Sequence, residues 1–178
     1  PEQARMTGVE LDPVTAQISR ALFPHAEVRS ESFADTRLPE GMFDAAIGNV
    51  PFSDVTLHDP VHNPTRQSMH NHFILKSLRL TRPGGMVAVL TSQYTMDAHS
   101  PGARRAMAML AAPVGPVRLP PRAHRPTAGT EAAPAPLLPP PRHAHDPLPP
   151  DPRPTVTPIA LDRAADNPTP SFHAPPPH

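Results

Sequence analysis

Apolar positions in the first half of the chain alternate between two spacings. Met6-Thr7-Gly8-Val9-Glu10 is a short strand-like run that ends in the acidic group Glu10-Leu11-Asp12. Pro13 then stands at a helix start, and Val14, Ile18, Ala21 and Leu22 recur at the spacing of one helical face. Pro24 ends that helix, Ala26-Glu27-Val28-Arg29 can form a second strand, and Leu38-Pro39-Glu40-Gly41 reads as a turn. Phe43-Asp44-Ala45-Ala46-Ile47-Gly48-Asn49 has the composition of a strand buried in a parallel sheet. From Pro51 to about Arg66 the chain is polar and punctuated by Pro60 and Pro64, which predicts a loop. Helical spacing resumes through Phe73, Ile74, Ser77, Leu78 and Leu80 and stops at Arg82-Pro83-Gly84-Gly85. Met86 to Leu90 is the strongest strand, Ala103 to Ala112 is helix-prone, and Val114 to Leu119 is a last strand weakened by Pro116. Strands and helices in this order predict an α/β fold with a mostly parallel sheet.

Composition changes the picture beyond that point. Of the 30 prolines, 9 precede Ala112 and 21 follow from Pro113 onward. Proline removes ladder donors and breaks helices. The expected organisation is therefore a folded part over 1–112 and an extended or disordered proline-rich tail over 113–178. Pro139 to Arg142 and Pro147 to Pro154 have the make-up of polyproline II ligands or stiff linkers, or of a drifted coding segment. The opening Pro1-Glu2-Gln3-Ala4-Arg5 has neither a cap nor a preceding turn, which predicts a piece of a longer chain.

Sixteen basic and sixteen acidic residues balance, so bulk charge does not drive binding to nucleic acid or acidic lipid, and any polyanion is held locally. Without cysteine there is no disulfide scaffold, thiolate zinc site or cysteine nucleophile. No apolar run approaches the length of a membrane helix and no signal peptide opens the sequence, so a cytoplasmic protein without a membrane partner is expected. His58, His62, His70 and His72 crowd one stretch but fit no common zinc spacing. They are expected as solvated loop histidines, with no metal site. Lys76, Arg79 and Arg82 recur every three residues, as a solvated helix face or a phosphate contact.

Ligands of parallel α/β sheets lie at the carboxyl ends of the strands. Glu10 ends the first strand, where a carboxylate can accept from both hydroxyls of a ribose or simply cap the following helix. Asn49-Val50-Pro51-Phe52 ends the buried strand. An amide oxygen from Asn49, a backbone carbonyl beside Pro51 and the flat ring of Phe52 together suit a planar base bearing an amine. Two acceptors on that amine draw its lone pair out of conjugation and make it nucleophilic without a strong base. The alternative is a turn anchored by a buried phenylalanine.

Taken together, Gly8 to Pro13, Phe43 to Phe52, His72 to Leu78, Arg82 to Ser92 and Tyr94 to Asp97 resemble the class I S-adenosylmethionine-dependent DNA adenine-N6 methyltransferases. The similarity is greatest to the methylase portion of large bacterial helicase–methylase proteins and covers about residues 5 to 110. It implies a partial Rossmann-like methyltransferase sheet with helices on both faces. It also implies that Glu10 takes the cofactor ribose, that Glu31 or Asp35 lies near the cofactor adenine amine, and that Asn49 and Pro51 accept from the target amine. Phe52 would stack on an adenine flipped from double-stranded DNA. A helicase region of the same parent polypeptide and a restriction–modification setting are implied partners. Two departures stand out besides Val50, where the family usually has proline. The family's glycine-rich cofactor turn precedes the first acidic strand, and here nothing before Pro1 supplies it, which predicts severely reduced cofactor affinity. In the tail, Val117 to Pro120 and Ala128 to Glu131 keep fragments of the family's continuation before prolines accumulate. Methylation of a protein glutamine amide uses the same tetrapeptide logic, and a non-catalytic remnant or proline-rich interaction segment is the reading from a different class.

Overall fold

The computed structural model describes residues 4–111 in full and the backbone of 115–116 and 136–138. A short strand β1 (Thr7–Glu10) leads into helix α1 (Pro13–Leu22) and strand β2 (Glu27–Ser30). Asp12 caps α1 by accepting from the Thr15 N–H at 2.7 Å, with Pro13 in the first turn, and the helix closes at Phe23 before Pro24. Strand β3 (Phe43–Asn49) follows the turn at Gly41, whose φ of +67° requires glycine. After the polar loop come helix α2 (Met69–Leu80), strand β4 (Thr81–Leu90), the short helix α3 (Tyr94–Asp97) and helix α4 (Gly102–Leu110). Two further short strands, β5 (Gly115–Pro116) and β6 (Pro136–Leu138), complete the order.

β1 and β2 pair in parallel as a sheet of their own, while β3, β4, β6 and β5 form a second sheet in that order. β3 and β4 run parallel, with Asn49 opposite Leu90. Among the described residues no strand lies between β1 and β3. A trough of about 330 Å³ separates them, lined by Thr7, Gly8 and Val9 on one side and by Ala45, Ile47 and Asn49 on the other. Both facing edges therefore lack ladder partners, and Ile47, expected to be buried in a parallel sheet, is 80% exposed. The apolar stripe of α1 shares this openness, because Val14, Ile18 and Leu22 are exposed and Ala16 alone is buried in that helix.

The core sits on the other sheet. Ile74, Leu75 and Leu78 of α2 pack against Val87 and Val89 of β4 and Met107 of α4. Ala111 closes the cluster and Val50 joins it from the end of β3.

Several elements depart from the sequence-based expectation. The stop at Arg82 to Gly85 is part of β4, which begins at Thr81 directly after the helix. Phe43 pairs with Thr81 and Ala45 with Met86, so the extra residues of β4 are absorbed in a bulge. Gly84 there has φ +78°, and a Cβ on Gly85 would stand 2.5 Å from Thr81 Cγ2 and 2.6 Å from the Asp44 carbonyl oxygen. α2 starts at Met69, ahead of its first apolar positions, because buried His70 and His72 already occupy its inward face. In the proline-rich stretch, β5 falls within the strand expected over 114–119. β6 was not foreseen, yet Leu137 and Leu138 pair antiparallel with Ala88 and Val87. The remaining expectations for the tail lie outside the described residues.

Candidate functional site

The carboxyl ends of β1 and β3 open on one cavity of about 510 Å³. Its first wall carries Glu10 and Leu11 from the end of β1 and Glu31, Ser32 and Phe33 from the turn after β2. The facing wall is Asn49, Val50, Pro51 and Phe52, with Phe73 of α2 at the base. Parallel strands bring these segments together although they are about forty residues apart in sequence.

Glu10 is half-buried, and its Oε1 accepts from the Asp12 N–H at 2.9 Å. The cap of α1 is Asp12 rather than Glu10, whose carboxylate braces the residue ahead of the helix and lines the cavity. Thr15 donates to Asp12 through backbone N–H and hydroxyl and holds that carboxyl below its usual range. Glu31 Oε1 is buried, lies 3.8 Å from Arg29 Nη1 and accepts no hydrogen bond. Of the two acids between which the sequence does not choose, Glu31 lines the cavity, whereas Asp35 is exposed and does not.

Asn49 is the last residue of β3 and is exposed at the cavity lip. Val50 is buried, and its N–H donates to the Leu90 carbonyl at 3.0 Å, which carries the β3–β4 ladder one residue further. A proline in that place would lack this donor. Phe52 is half-buried, packed on the core cluster while lining the cavity. Phe33 and Phe73 meet with ring centroids 4.8 Å apart and planes tilted by 41°, forming an aromatic floor to which the sequence assigned no role. The 3.6-residue repeat of α2 was the available signal for Phe73.

The histidines are corrected by the structure. His62, His70 and His72 are buried and only His58 is exposed. An acid sits among them: Asp59 is buried and accepts from Lys76 Nζ at 2.9 Å, from His72 Nε2 at 3.1 Å and from the His62 N–H at 3.0 Å. Burial opposes a charge on Asp59, but Lys76, the His62 N–H and His72 together outweigh it and hold the carboxyl far below the ordinary range. Burial pushes the pKa values of His62 and His72 down, against the pull of Asp59. Among the described residues no group of acids and histidines is arranged to hold a metal ion.

The basic stripe is corrected as well. Lys76 is fully buried; Arg79 lies 3.6 Å from Glu40; and Arg82 falls on β4, bonded to Asp44 at 2.6 Å. Lys76 shares the inward face of α2 with His72 and Leu80, four residues away on either side, so a helical projection would have found it.

No family model matches the chain, and no curated protein does. Solved structures do. A protein described as a class I S-adenosylmethionine-dependent methyltransferase from Listeria monocytogenes superposes with a TM-score of 0.61 at 16% identity, over 76% of this chain and 44% of that one. The chain shares part of the Rossmann-like α/β fold of these methyltransferases. The M protein of the type I restriction enzyme EcoKI gives a TM-score of 0.59 at 17% identity, over 75% of this chain and 31% of its own. A chain from a type I restriction–modification system gives 0.62 at 17% identity, over 74% and 29%. This sequence therefore spans less than half the length of each of these three structures. No helix among the described residues is long and apolar enough to cross a membrane.

Proposed function

We propose that the chain is the partial catalytic domain of an S-adenosylmethionine-dependent methyltransferase acting on the exocyclic amine of adenine in DNA. The observation that carries this reading is the single cavity that sets Glu10 and Glu31 opposite Asn49, Pro51 and Phe52. The residues fit the cofactor. Its volume lies within the usual range for small-molecule sites, its lining is largely apolar, and the acids suit a cationic ligand carrying a diol and an amine. Among the described residues Glu31 Oε1 accepts no hydrogen bond, which leaves it free to accept an N–H.

Glu10 holds the ribose hydroxyls, and Glu31, rather than Asp35, accepts from the adenine amine of the cofactor. When bound, S-adenosylmethionine supplies an electrophilic methyl group. The chain's part is to present the nucleophile: the Asn49 side-chain oxygen and a backbone carbonyl beside Pro51 accept the two N–H bonds of the target amine, and Phe52 covers the face of the base. A restriction enzyme's M protein among the similar folds supports double-stranded DNA as the substrate. A helicase region of the parent polypeptide is the companion that the sequence resemblance implies.

The test is transfer of labelled methyl groups to duplex DNA by the full-length parent polypeptide and by its Asn49→Ala variant. Label in DNA, reduced at least a hundredfold in the variant with cofactor binding retained, is the expected result. Label entering a polypeptide instead would move the reading to a protein glutamine methyltransferase. Absence of both transfer and cofactor binding would leave a non-catalytic remnant.

A further inference from the structure

Lys76 lies in the middle of α2 with no exposure to solvent. A buried ammonium must be both paired and hydrogen-bonded. Its Nζ meets this demand by donating to the carbonyl oxygens of Phe33, Ala34 and Thr36 and to the Asp59 carboxylate, and it lies 5.0 Å from the centroid of the Phe33 ring. The three carbonyls belong to the turn that carries Glu31, Ser32 and Phe33, the acidic wall of the cavity. Asp59 belongs to the loop that continues from Asn49 to Phe52, the opposite wall. One side chain therefore joins both walls.

The topology gives this link unusual weight. β1 and β2 share no ladder with β3 and β4. Among the described residues, the three bonds from Lys76 are the hydrogen bonds that connect residues 4–37 with residues 43–111. The tilted Phe33–Phe73 ring pair adds an apolar contact at the same place, but such a contact leaves sliding and tilting open. Three carbonyls and the Asp59 carboxylate converging on one ammonium do not, because they share its three N–H bonds from fixed directions, one bond serving two acceptors.

We propose that Lys76 is a positioning residue that fixes the separation of the two cavity walls by strapping the 33–36 turn to α2 and Asp59. The inference rests on the reading that cofactor and target amine meet between those walls. Removing the strap should let the β1–β2 half move against the β3–β4 half and weaken ligand binding, while leaving the core around Ile74 and Val87 intact.

Because the chain has no cysteine, nitroxide labels can be placed uniquely. Gln17→Cys on α1 and Arg105→Cys on α4 are both exposed and report on the two halves without touching the cavity. Pulsed electron–electron resonance on this pair should give one narrow distance distribution in the otherwise unaltered chain. Asp59→Asn, which keeps the three carbonyl bonds, should leave it narrow. Lys76→Met combined with Asp59→Asn removes strap and countercharge together, and should at least double the width or shift the mean while circular dichroism is unchanged. Calorimetric titration with S-adenosylmethionine should show affinity at least tenfold weaker in the double variant. An unchanged distribution in the double variant overturns the proposal, as does a broadened one with unchanged cofactor affinity. Broadening by Asp59→Asn alone to the same extent would transfer the role to Asp59. Should the double variant not fold, Lys76→Gln is read in the same way, and a width and mean equal to the parent's overturn the proposal. If the parent chain takes up no cofactor, the methyltransferase reading fails, and the spin-pair distances still decide whether Lys76 is the strap.

Discussion

Asp59 shows how much a single residue can hold. Its carboxylate answers a buried ammonium, a buried imidazole and a backbone N–H at once. Replacing it by alanine leaves the Lys76 charge without a counterion, and breaking a buried pair from one side typically costs about 3–5 kcal/mol. Asp59→Ala should accordingly shift the urea midpoint far more than the paired replacement of Lys76 and Asp59 by neutral residues. The same cluster predicts a pH dependence. His62 and His72 have pKa values pushed below the ordinary 6.5, so below that pH the unfolded chain binds protons that the folded chain refuses. Stability is full above about pH 6.5 and falls as the pH drops through the interval down to the folded values. Asp59, shifted the same way, keeps its contribution until the pH falls below its ordinary 3.8. Chemical denaturation between pH 7.5 and 5 should show this loss, and His62→Gln should flatten it. An unchanged slope in that variant would mean that His62 takes up protons equally in the folded and the unfolded chain.

At the scale of elements, the bulge in β4 sets the start of the strand that ends beside the site. Gly84 supplies the positive φ and Gly85 the room for close passage over Asp44. A methyl group on Gly85 meets the Asp44 and Arg82 carbonyl oxygens as well as Thr81 Cγ2, and two of these three are backbone atoms that cannot rotate away. Overpacking of this kind costs about 1–3 kcal/mol. Gly85→Ala should lower the melting temperature, with a loss of β3–β4 amide protection visible by hydrogen exchange. Equal protection in the two chains would show that the bulge relaxes freely.

For the molecule as a whole, the trough between β1 and β3 is the feature with the widest consequence. Two strand edges face it with unpaired backbone groups, Ile47 stands in it, and the α1 stripe of Val14, Ile18 and Leu22 is bare. Exposed apolar edges are templates for further strand pairing, and a lysine on such an edge blocks it. The chain by itself should self-associate, and Ile47→Lys should shift its sedimentation toward the monomer. A strictly monomeric parent chain would contradict this expectation.

Much of this architecture was legible in the sequence because it is written in local periodicity. The spacing of Val14, Ile18 and Leu22 foretells α1, the mainly apolar segment Phe43 to Asn49 foretells β3, and Pro51 marks where the chain leaves the sheet. The position of Asn49 and Phe52 at a strand end follows from the same pattern, since parallel strands deliver their carboxyl ends to one side. What periodicity does not carry is which distant segments meet. That Glu31 rather than Asp35 faces the cavity depends on how one turn is strapped down. The helical repeat puts Lys76 on the inward face of α2, but the three carbonyls that satisfy its charge there lie forty or more residues away in sequence, which no local spacing encodes. Charged and polar residues read as solvated from composition become interior once partners arrive from elsewhere in the chain. Burial of a charge is a property of the assembled fold, because only the fold can bring the counterion.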